Sequence, residues 1–264
     1  MIRPVFANTA DYRTRQALIL RGGTGRVSLP VRVGLIDHPT HGAVLIDGGC
    51  GPRLTKGPGR SLALRLYSWL LHPVIREDSS PMALLAAKGR TAADVQTILV
   101  THFHADHISY LRDFPNARFV TDGPVRGGLR HGIFPALLPD DFAQRQIDLR
   151  SFPQAALPFG LGAGYDVFGD GTVLAVPLPG HAAGHYGLCF PGDDPLLYAV
   201  DVQWLLAGIL QDRAPGFPAS LLADDTTAAH ESIALVRAFA QAGGTVVLCH
   251  DPAPTPFDWA PPDV

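Results

Sequence analysis

The stretch THFHADH, Thr101 to His107, places three histidines and an aspartate on one short loop after the apolar run TILV. Imidazole nitrogens and carboxylate oxygens are donors that zinc and similar divalent metals prefer. The alternating pair His102 and His104 can point at one ion, and Asp106 and His107, one turn further on, can face a second. The loop therefore predicts a metal centre rather than an ordinary polar surface loop.

Three later segments carry further candidate ligands, each after a strand-like run. PLPGHAAGHYG contains His181 and His185, LLYAVDV is interrupted by Asp201, and TVVLCHD ends another apolar run at His250. A carboxylate buried in such a run is costly unless it has a partner. Strand ends that converge on one edge are where rigid scaffolds usually hold catalytic loops. Any one of these residues alone would more often be a satisfied core polar group, but together they indicate a two-metal site.

The motifs occur in the order HxHxDH, PGHxxGH, an isolated aspartate after a strand, and a late histidine. In this order they resemble the metallo-β-lactamase-fold hydrolases. The resemblance covers the chain from about Leu18 to about Pro252 and includes VLIDGG, Val44 to Gly49. It implies an α/β fold of the four-layer αββα sandwich type and the activity of a metal-dependent hydrolase.

The resemblance also implies a role for each candidate residue. The ligands of the first ion would be three histidines, His102, His104 and His181. The ligands of the second ion would be an aspartate and two histidines, Asp106, His107 and His250. Asp201 would bridge the two ions, and Asp47 and His185 would support the ligands without binding metal.

Two divalent ions are the implied cofactor, with zinc as the first expectation and iron, manganese or cobalt as alternatives for the same ligands. Two metals about 3.5–4 Å apart hold a bridging water that can ionise to hydroxide near neutral pH. That hydroxide would attack a carbonyl or phosphoryl centre while one ion stabilises the developing negative charge. Asp106 would pass a proton to the departing oxygen, so no serine or cysteine nucleophile is needed.

Strand-like runs fall into two groups and predict two sheets. The first group is ALIL, VRVGLID and AVLIDGG, with DHPTHG as a turn. The second is YDVFGDGTVLAVPL, whose GDG predicts a hairpin, followed by GLCF, LLYAVD and TVVLCH. TAADVQ, from Thr91 to Gln96, is predicted to form a helix capped by Thr91 and Asp94. Thr226 to Gly244 is predicted to form a longer helix that ends at a glycine.

The composition predicts one domain over residues 1–264, because a chain of 264 residues that is 47% hydrophobic and 17% charged can bury a full core. The net charge of −3 offers no general attraction to nucleic acid or to anionic membranes. The N-terminal segment lacks the apolar core of a signal peptide, and no apolar run reaches the roughly 18 residues of a membrane span. These features predict a cytoplasmic protein that acts on a small molecule.

The three cysteines, Cys50, Cys189 and Cys249, are too few and too scattered for a disulfide framework. They are expected to be buried apolar side chains. Cys249 directly precedes His250, but the alternation of side chains along a strand is expected to turn it away from the site.

Two segments lie outside the minimal core of the resembled family. They run from Gly59 to Gly89 and from Gly123 to Phe142, and both contain apolar runs. One alternative is that they pack on the outside of the fold or form a homodimer interface. The other is that they form walls over the metal centre and bury an apolar part of the substrate. The lone histidines His72 and His131 in these segments are expected to be surface or packing residues.

Within the superfamily, the spacing and length most resemble the N-acyl-homoserine-lactone lactonases, which implies the opening of a lactone or related carboxylic ester. Many of these lactonases carry a tyrosine three residues after the bridging aspartate, where its hydroxyl helps hold the lactone carbonyl. Here that position is Trp204, which predicts a hydrophobic wall of the substrate pocket. The alternatives are a phosphoesterase or phosphotriesterase, a thioesterase of the same fold, and a metal-binding protein without turnover.

Overall fold

The computed structural model describes residues 1–125 and 132–260. Its first sheet has seven strands, which are β1 (Val5–Arg15), β2 (Arg26–His38), β3 (Gly42–Ile46), β4 (Val74–Ile75), β5 (Val95–Leu99), β6 (Arg118–Thr121) and β7 (Gln146–Asp148). They lie in the order β4-β1-β2-β3-β5-β6-β7. β3, β5, β6 and β7 pair in parallel. Their carboxyl ends therefore meet at one edge, where Asp47 follows β3 and the THFHADH loop follows β5.

The second sheet has six strands, which are β8 (Gln154–Ala156), β9 (Ala163–Asp166), β10 (Leu174–Pro177), β11 (Tyr186–Phe190), β12 (Leu196–Val200) and β13 (Thr245–Leu248). They lie in the order β13-β12-β11-β10-β9-β8. β12 and β13 pair in parallel, with Val200 opposite Leu248. This pairing brings the residues that follow the two strands, Asp201 and His250, to the same end of the sheet.

Seven α-helices accompany the sheets in the described residues, and they are α1 (Pro52–Thr55), α2 (Leu62–Leu71), α3 (Pro81–Ala87), α4 (Ala105–Ile108), α5 (Phe142–Arg145), α6 (Leu206–Leu210) and α7 (Thr226–Gln241). α7 begins at a side-chain cap, because Asp225 accepts hydrogen bonds from the N–H groups of Thr227 and Ala228. Its buried face, which includes Val236 and Phe239, packs on the second sheet.

The main core lies between the two sheets. The rings of Phe6 in β1 and Tyr198 in β12 are 4.6 Å apart between centroids. Tyr186 in β11 reaches across to donate a hydrogen bond to the carbonyl of Val120 in β6. The sheets are therefore stacked face to face, with helices on the outside, and the predicted α/β sandwich is confirmed.

Several predicted elements agree with the structure. The VRVGLID and AVLIDGG runs lie in β2 and β3 with the turn between them, and the GDG hairpin joins β9 to β10. The second-sheet runs GLCF, LLYAVD and TVVLCH correspond to β11, β12 and β13. The helix predicted from Thr226 is α7, and Gly243 follows its end with a φ of 97°.

Two local predictions were wrong, and several strands, of which β1 is the longest, were not predicted. ALIL is not a strand, since Gln16–Leu18 forms a 3-10 turn where the chain reverses between β1 and β2. The helix predicted at Thr91 is a single 3-10 turn, although the Asp94 carboxylate does accept hydrogen bonds from Thr91. β1 escaped prediction because its many polar residues and a register shift between Asn8 and Asp11 disturb the expected alternation.

Among the described helices, none is both long enough and apolar enough to span a lipid bilayer.

Candidate metal centre

Asp47 anchors the THFHADH loop to the end of β3. Its side chain is fully buried, and Oδ1 accepts a hydrogen bond from the Thr101 N–H at 2.8 Å. Oδ2 accepts from Thr101 Oγ1 at 2.9 Å and from His107 Nδ1 at 2.8 Å. Burial raises the pKa of Asp47, although His107 and Thr101 favour its charged form. One carboxylate thus satisfies three donors of the loop.

The same hydrogen bonds determine which ring nitrogen carries the proton when His102 and His107 are neutral. Thr101 Oγ1 gives its proton to Asp47, so at 3.1 Å it accepts one from His102 Nδ1. His107 Nδ1 likewise donates to Asp47. In the neutral form of each ring, the lone pair is then on Nε2, the atom available to a metal. Asp47 therefore orients His102, a candidate ligand of the first ion, and His107, a candidate ligand of the second.

The first ligand group gathers nitrogens from three histidines around one oxygen of Asp201. His104 Nδ1 lies 3.0 Å from the Nε2 atoms of both His102 and His181. His181 Nε2 lies 3.5 Å from Asp201 Oδ2, and the ligand atoms of the group all lie within 4.8 Å of one another. Burial, reinforced by the neighbouring histidines, holds the pKa values of His102 and His181 well below the usual range. These rings are therefore neutral, the form that binds metal.

The second ligand group shares the same Asp201 oxygen. Asp201 Oδ2 lies 3.5 Å from His107 Nε2 and 3.1 Å from His250 Nε2, and His250 Nε2 lies 3.6 Å from Asp106 Oδ2. Burial opposes a charge on His250, but Asp201 outweighs it and raises the pKa of His250 to about 10. Asp201 Oδ2 therefore lies within 3.5 Å of histidine nitrogens from both groups.

Two atoms at the centre lack hydrogen-bond partners. In the part of the chain that the structure describes, His107 Nε2 and Asp201 Oδ1 are buried and make no hydrogen bond. An unsatisfied buried polar group costs about 1–3 kcal/mol. The carboxylate oxygen, and the ring nitrogen when His107 is neutral, each carry a lone pair that a cation would satisfy. The donor set of imidazole nitrogens and carboxylates therefore fits a dinuclear divalent metal site.

His185 uses both of its ring nitrogens outside this donor set. Burial lowers its pKa to about 4, so the ring is neutral. Nδ1 donates to the carbonyl of Leu178 at 2.7 Å, and Nε2 accepts from the backbone N–H of Asp201 at 3.3 Å. The geometry favours a supporting role for His185, because it holds the backbone of the shared carboxylate.

Cys249 does not turn away from the site as expected. Its sulfur lies within 4.8 Å of the candidate ligand atoms of His107, Asp201 and His250. The expectation failed because β13 ends at Leu248, so regular strand alternation does not extend to the next residues. Cys249 is a neighbour of the second ligand group that the sequence argument had set aside.

The backbone before Asp201 adopts an unusual conformation. Val200 has a φ of 52°, which a β-branched residue rarely adopts and which costs about 1–3 kcal/mol. The β12–β13 register shifts between Tyr198 and Val200, and the Val200 carbonyl accepts a hydrogen bond from the Cys249 N–H. The surrounding pairing holds this conformation, which directs Asp201 out of the strand and into the ligand groups.

An aromatic wall borders the His250 side of the centre. The Trp204 ring lies edge-on to the His250 ring with centroids 6.1 Å apart, and Tyr12 lies 6.3 Å from the same ring. Both pack against a small apolar cluster that contains Ile19 and Leu20. Sequence reasoning missed Tyr12 and this segment, since neither β1 nor the turn after it had been recognised.

The two insertions meet on the His104 side. Tyr67 in α2 packs edge-on against Phe134 at 5.1 Å between centroids. Gly132 lies between Tyr67 and His104, since a Cβ added to it would be 3.8 Å from the Tyr67 hydroxyl and 3.8 Å from His104 Cδ2. Tyr67 is therefore a neighbour of the site. Its place in the insertion from Gly59 to Gly89 was the only sequence feature that suggested this. His72 is exposed, and His131 lies outside the described residues.

Comparison with known proteins agrees with this architecture. The family model described as the metallo-beta-lactamase superfamily matches residues 27–231. The N-acyl homoserine lactonase AttM of Azorhizobium caulinodans is 33% identical over 251 residues, which cover 91% of this chain and 89% of that protein. AttM of Agrobacterium fabrum is 31% identical over 255 residues, covering 93% and 91%.

Solved structures of low sequence identity share the fold. An N-acyl homoserine lactone hydrolase with N-hexanoyl-L-homoserine bound at its catalytic metal centre aligns with a TM-score of 0.65 at 16% identity, covering 95% of this chain and 93% of that one. The dizinc quorum-quenching lactonase AidC aligns with a TM-score of 0.60 at 16% identity, covering 96% and 91%. With the family match and the relatives above 30% identity, these findings show that the chain belongs to the metallo-β-lactamase superfamily of hydrolases.

Proposed function

We propose that this protein hydrolyses lactones or closely related carboxylic esters at a dinuclear metal centre. The observation that carries the proposal is the position of Asp201 Oδ2, which lies within 3.5 Å of histidine nitrogens from both ligand groups. Relatives named N-acyl homoserine lactonases, similar over about nine-tenths of the chain, support a lactone as the substrate.

The proposed ligand assignment divides the donors between two ions. One ion would be held by His102, His104 and His181. The other would be held by Asp106, His107 and His250. Asp201 would be shared, with zinc as the expected metal and iron, manganese or cobalt as alternatives. When bound, the ions supply a nucleophilic hydroxide near neutral pH and polarise the carbonyl under attack.

The chain's own residues would orient the reaction and move its proton. Asp106 is buried, and its Oδ2 lies 3.6 Å from His250 Nε2, beside the second ligand group. From this position its carboxylate would relay a proton to the departing alkoxide. Asp47 and His185 would hold the ligands through the hydrogen bonds described above. The ring-opened product would carry the new carboxylate and hydroxyl.

The aromatic walls would bind the apolar part of the substrate. Trp204 stands on the His250 side and Tyr67, with Phe134, on the His104 side. An acyl chain lying between them would be removed from water at about 0.8 kcal/mol per buried methylene.

Metal content is the first expected result. The purified protein should hold close to two divalent ions per chain by elemental analysis. Their removal should lower the melting temperature, because ions that bind only the folded state stabilise it. A single ion per chain after purification without chelator would contradict the dinuclear proposal.

Substrate preference is the second expected result. Across a panel of lactones, esters and phosphoesters, kcat/KM should be highest for a lactone and should rise by up to about fourfold for each added acyl methylene that becomes fully buried. Trp204→Tyr should shift preference towards acyl-homoserine lactones, because a hydroxyl is introduced beside the carbonyl. Phosphodiester turnover that exceeds turnover of every lactone tested would favour the phosphoesterase alternative instead.

A further inference from the structure

Arg32, in β2, is an arginine whose side chain is only 5% exposed. Its Nε and Nη2 donate to the two carboxylate oxygens of Asp258 at 2.8 and 3.0 Å. A buried cation is costly unless its charge is compensated and its N–H groups are bonded. Asp258 compensates the charge, and the remaining N–H groups of the guanidinium bind backbone carbonyls.

Those carbonyls lie on both sides of His250. Arg32 Nη1 donates to the carbonyls of Leu248 at 3.0 Å and Asp251 at 2.6 Å, and Nη2 donates to that of Ala253 at 3.1 Å. Because carbonyls before and after His250 converge on one planar, rigid guanidinium, the backbone between them has little freedom to shift.

The strand that carries Arg32 also orients the His250 ring. His250 Nδ1 donates to the carbonyl of Pro30 at 2.7 Å. Its Nε2 is left directed at Asp201 Oδ2, 3.1 Å away. Both the backbone and the ring of this candidate ligand are therefore positioned from β2.

The same segment is connected to the aromatic wall. Asp251 Oδ2 accepts a hydrogen bond from the Leu206 N–H at 2.6 Å. Leu206 begins α6 and lies two residues after Trp204. A shift of the segment after His250 would therefore move the start of α6 and the Trp204 wall with it.

We propose that Arg32 is a positioning residue that places the His250 ligand of the second ion and, through Asp251, the Trp204 wall. The proposal rests on the ligand assignment in the proposed function. A lysine at this position would keep the charge next to Asp258. The three N–H donors of a lysine share one nitrogen atom. They therefore cannot bond the Asp258 carboxylate and the separate backbone carbonyls at the same time, as the guanidinium does.

The test compares Arg32→Lys and Asp258→Asn with the unchanged protein, each loaded with zinc and titrated with a competing chelator. Arg32→Lys should bind one ion as tightly as the unchanged protein and the other about 10–100-fold more weakly, the range typical when a residue behind a metal ligand is lost. Asp258→Asn should weaken the same ion to a smaller extent. In cobalt-substituted Arg32→Lys, the absorption titration should separate into two phases, one for each ion.

Arg145→Lys is the matched control. Arg145 is also mostly buried and donates to the carbonyls of Ala117 and Phe114, but that segment carries no proposed ligand, so both ions should bind as before. The Arg32 proposal is overturned if Arg32→Lys keeps both affinities, or if it weakens both ions equally. If the unchanged protein itself binds only one ion, the result contradicts the ligand assignment on which the Arg32 proposal rests.

Discussion

Replacing Asp201 with alanine is expected to release at least one metal ion per chain and to lower turnover by more than about a thousandfold. Water away from a metal ionises far less readily than metal-bound water, whose pKa is about 7. Asp201 Oδ2 is the oxygen that both ligand groups share, at 3.5 Å from His107 and His181 and 3.1 Å from His250. Its loss removes the one negative charge that the two ligand groups share. Elemental analysis and steady-state kinetics on the same preparation measure both effects.

Two variants separate this effect from a general loss of structure. Asp201→Asn keeps the size of the side chain and should retain some metal with poor turnover. His185→Ala removes the ring that accepts from the Asp201 N–H, so it should mainly lower the free energy of unfolding. If His185→Ala lost a metal while Asp201→Ala kept both, the ligand assignment would be wrong.

Asp47→Ala should weaken both ions and destabilise the fold. Three buried donors, from Thr101 N, Thr101 Oγ1 and His107 Nδ1, would lose their acceptor. At about 1–3 kcal/mol for each unsatisfied group, the free energy of unfolding of the metal-free protein should fall by at least about 3 kcal/mol. Loss of the orientation of His102 and His107 should lower the affinity for each ion by about 10–100-fold.

Urea unfolding of the metal-free protein and zinc titration against a chelator measure these two effects independently. Asp37→Ala is the matched control, because Asp37 lies in β2 but is 63% exposed, where it pairs with Arg90. An exposed pair of this kind contributes about 1 kcal/mol or less. Unchanged affinity for both ions in Asp47→Ala would show that the Asp47 hydrogen bonds do not set the ligand geometry.

The sequence alone was informative wherever a short-range pattern carries the chemistry. The HxHxDH spacing places its donors within one loop, so the candidate ligands could be named before the fold was known. The hairpin between β9 and β10 and the helix α7 were likewise predictable, because turn glycines, a capping residue and an apolar stripe act over a few residues. The motif order was sufficient to indicate the superfamily.

Only the tertiary structure decided how the separate segments meet. Asp201 and His250 come together because β12 and β13 pair in parallel with Val200 opposite Leu248. No local pattern specifies that register. Tyr12 and Tyr67 reach the site from an unrecognised strand and from an insertion helix. Their places depend on packing between segments that are distant in sequence.

The difference between what the sequence determined and what the tertiary structure decided is clearest around His250. Its residue type and its position after an apolar run are properties of the sequence, and they were enough to propose it as a ligand. The approach of the Cys249 sulfur and the carbonyls gathered by Arg32 were not predictable. Alternation determines side-chain direction only within a strand. Beyond Leu248 the chain leaves the sheet, and long-range hydrogen bonds, among them those to Arg32 and Pro30 in β2, set its path.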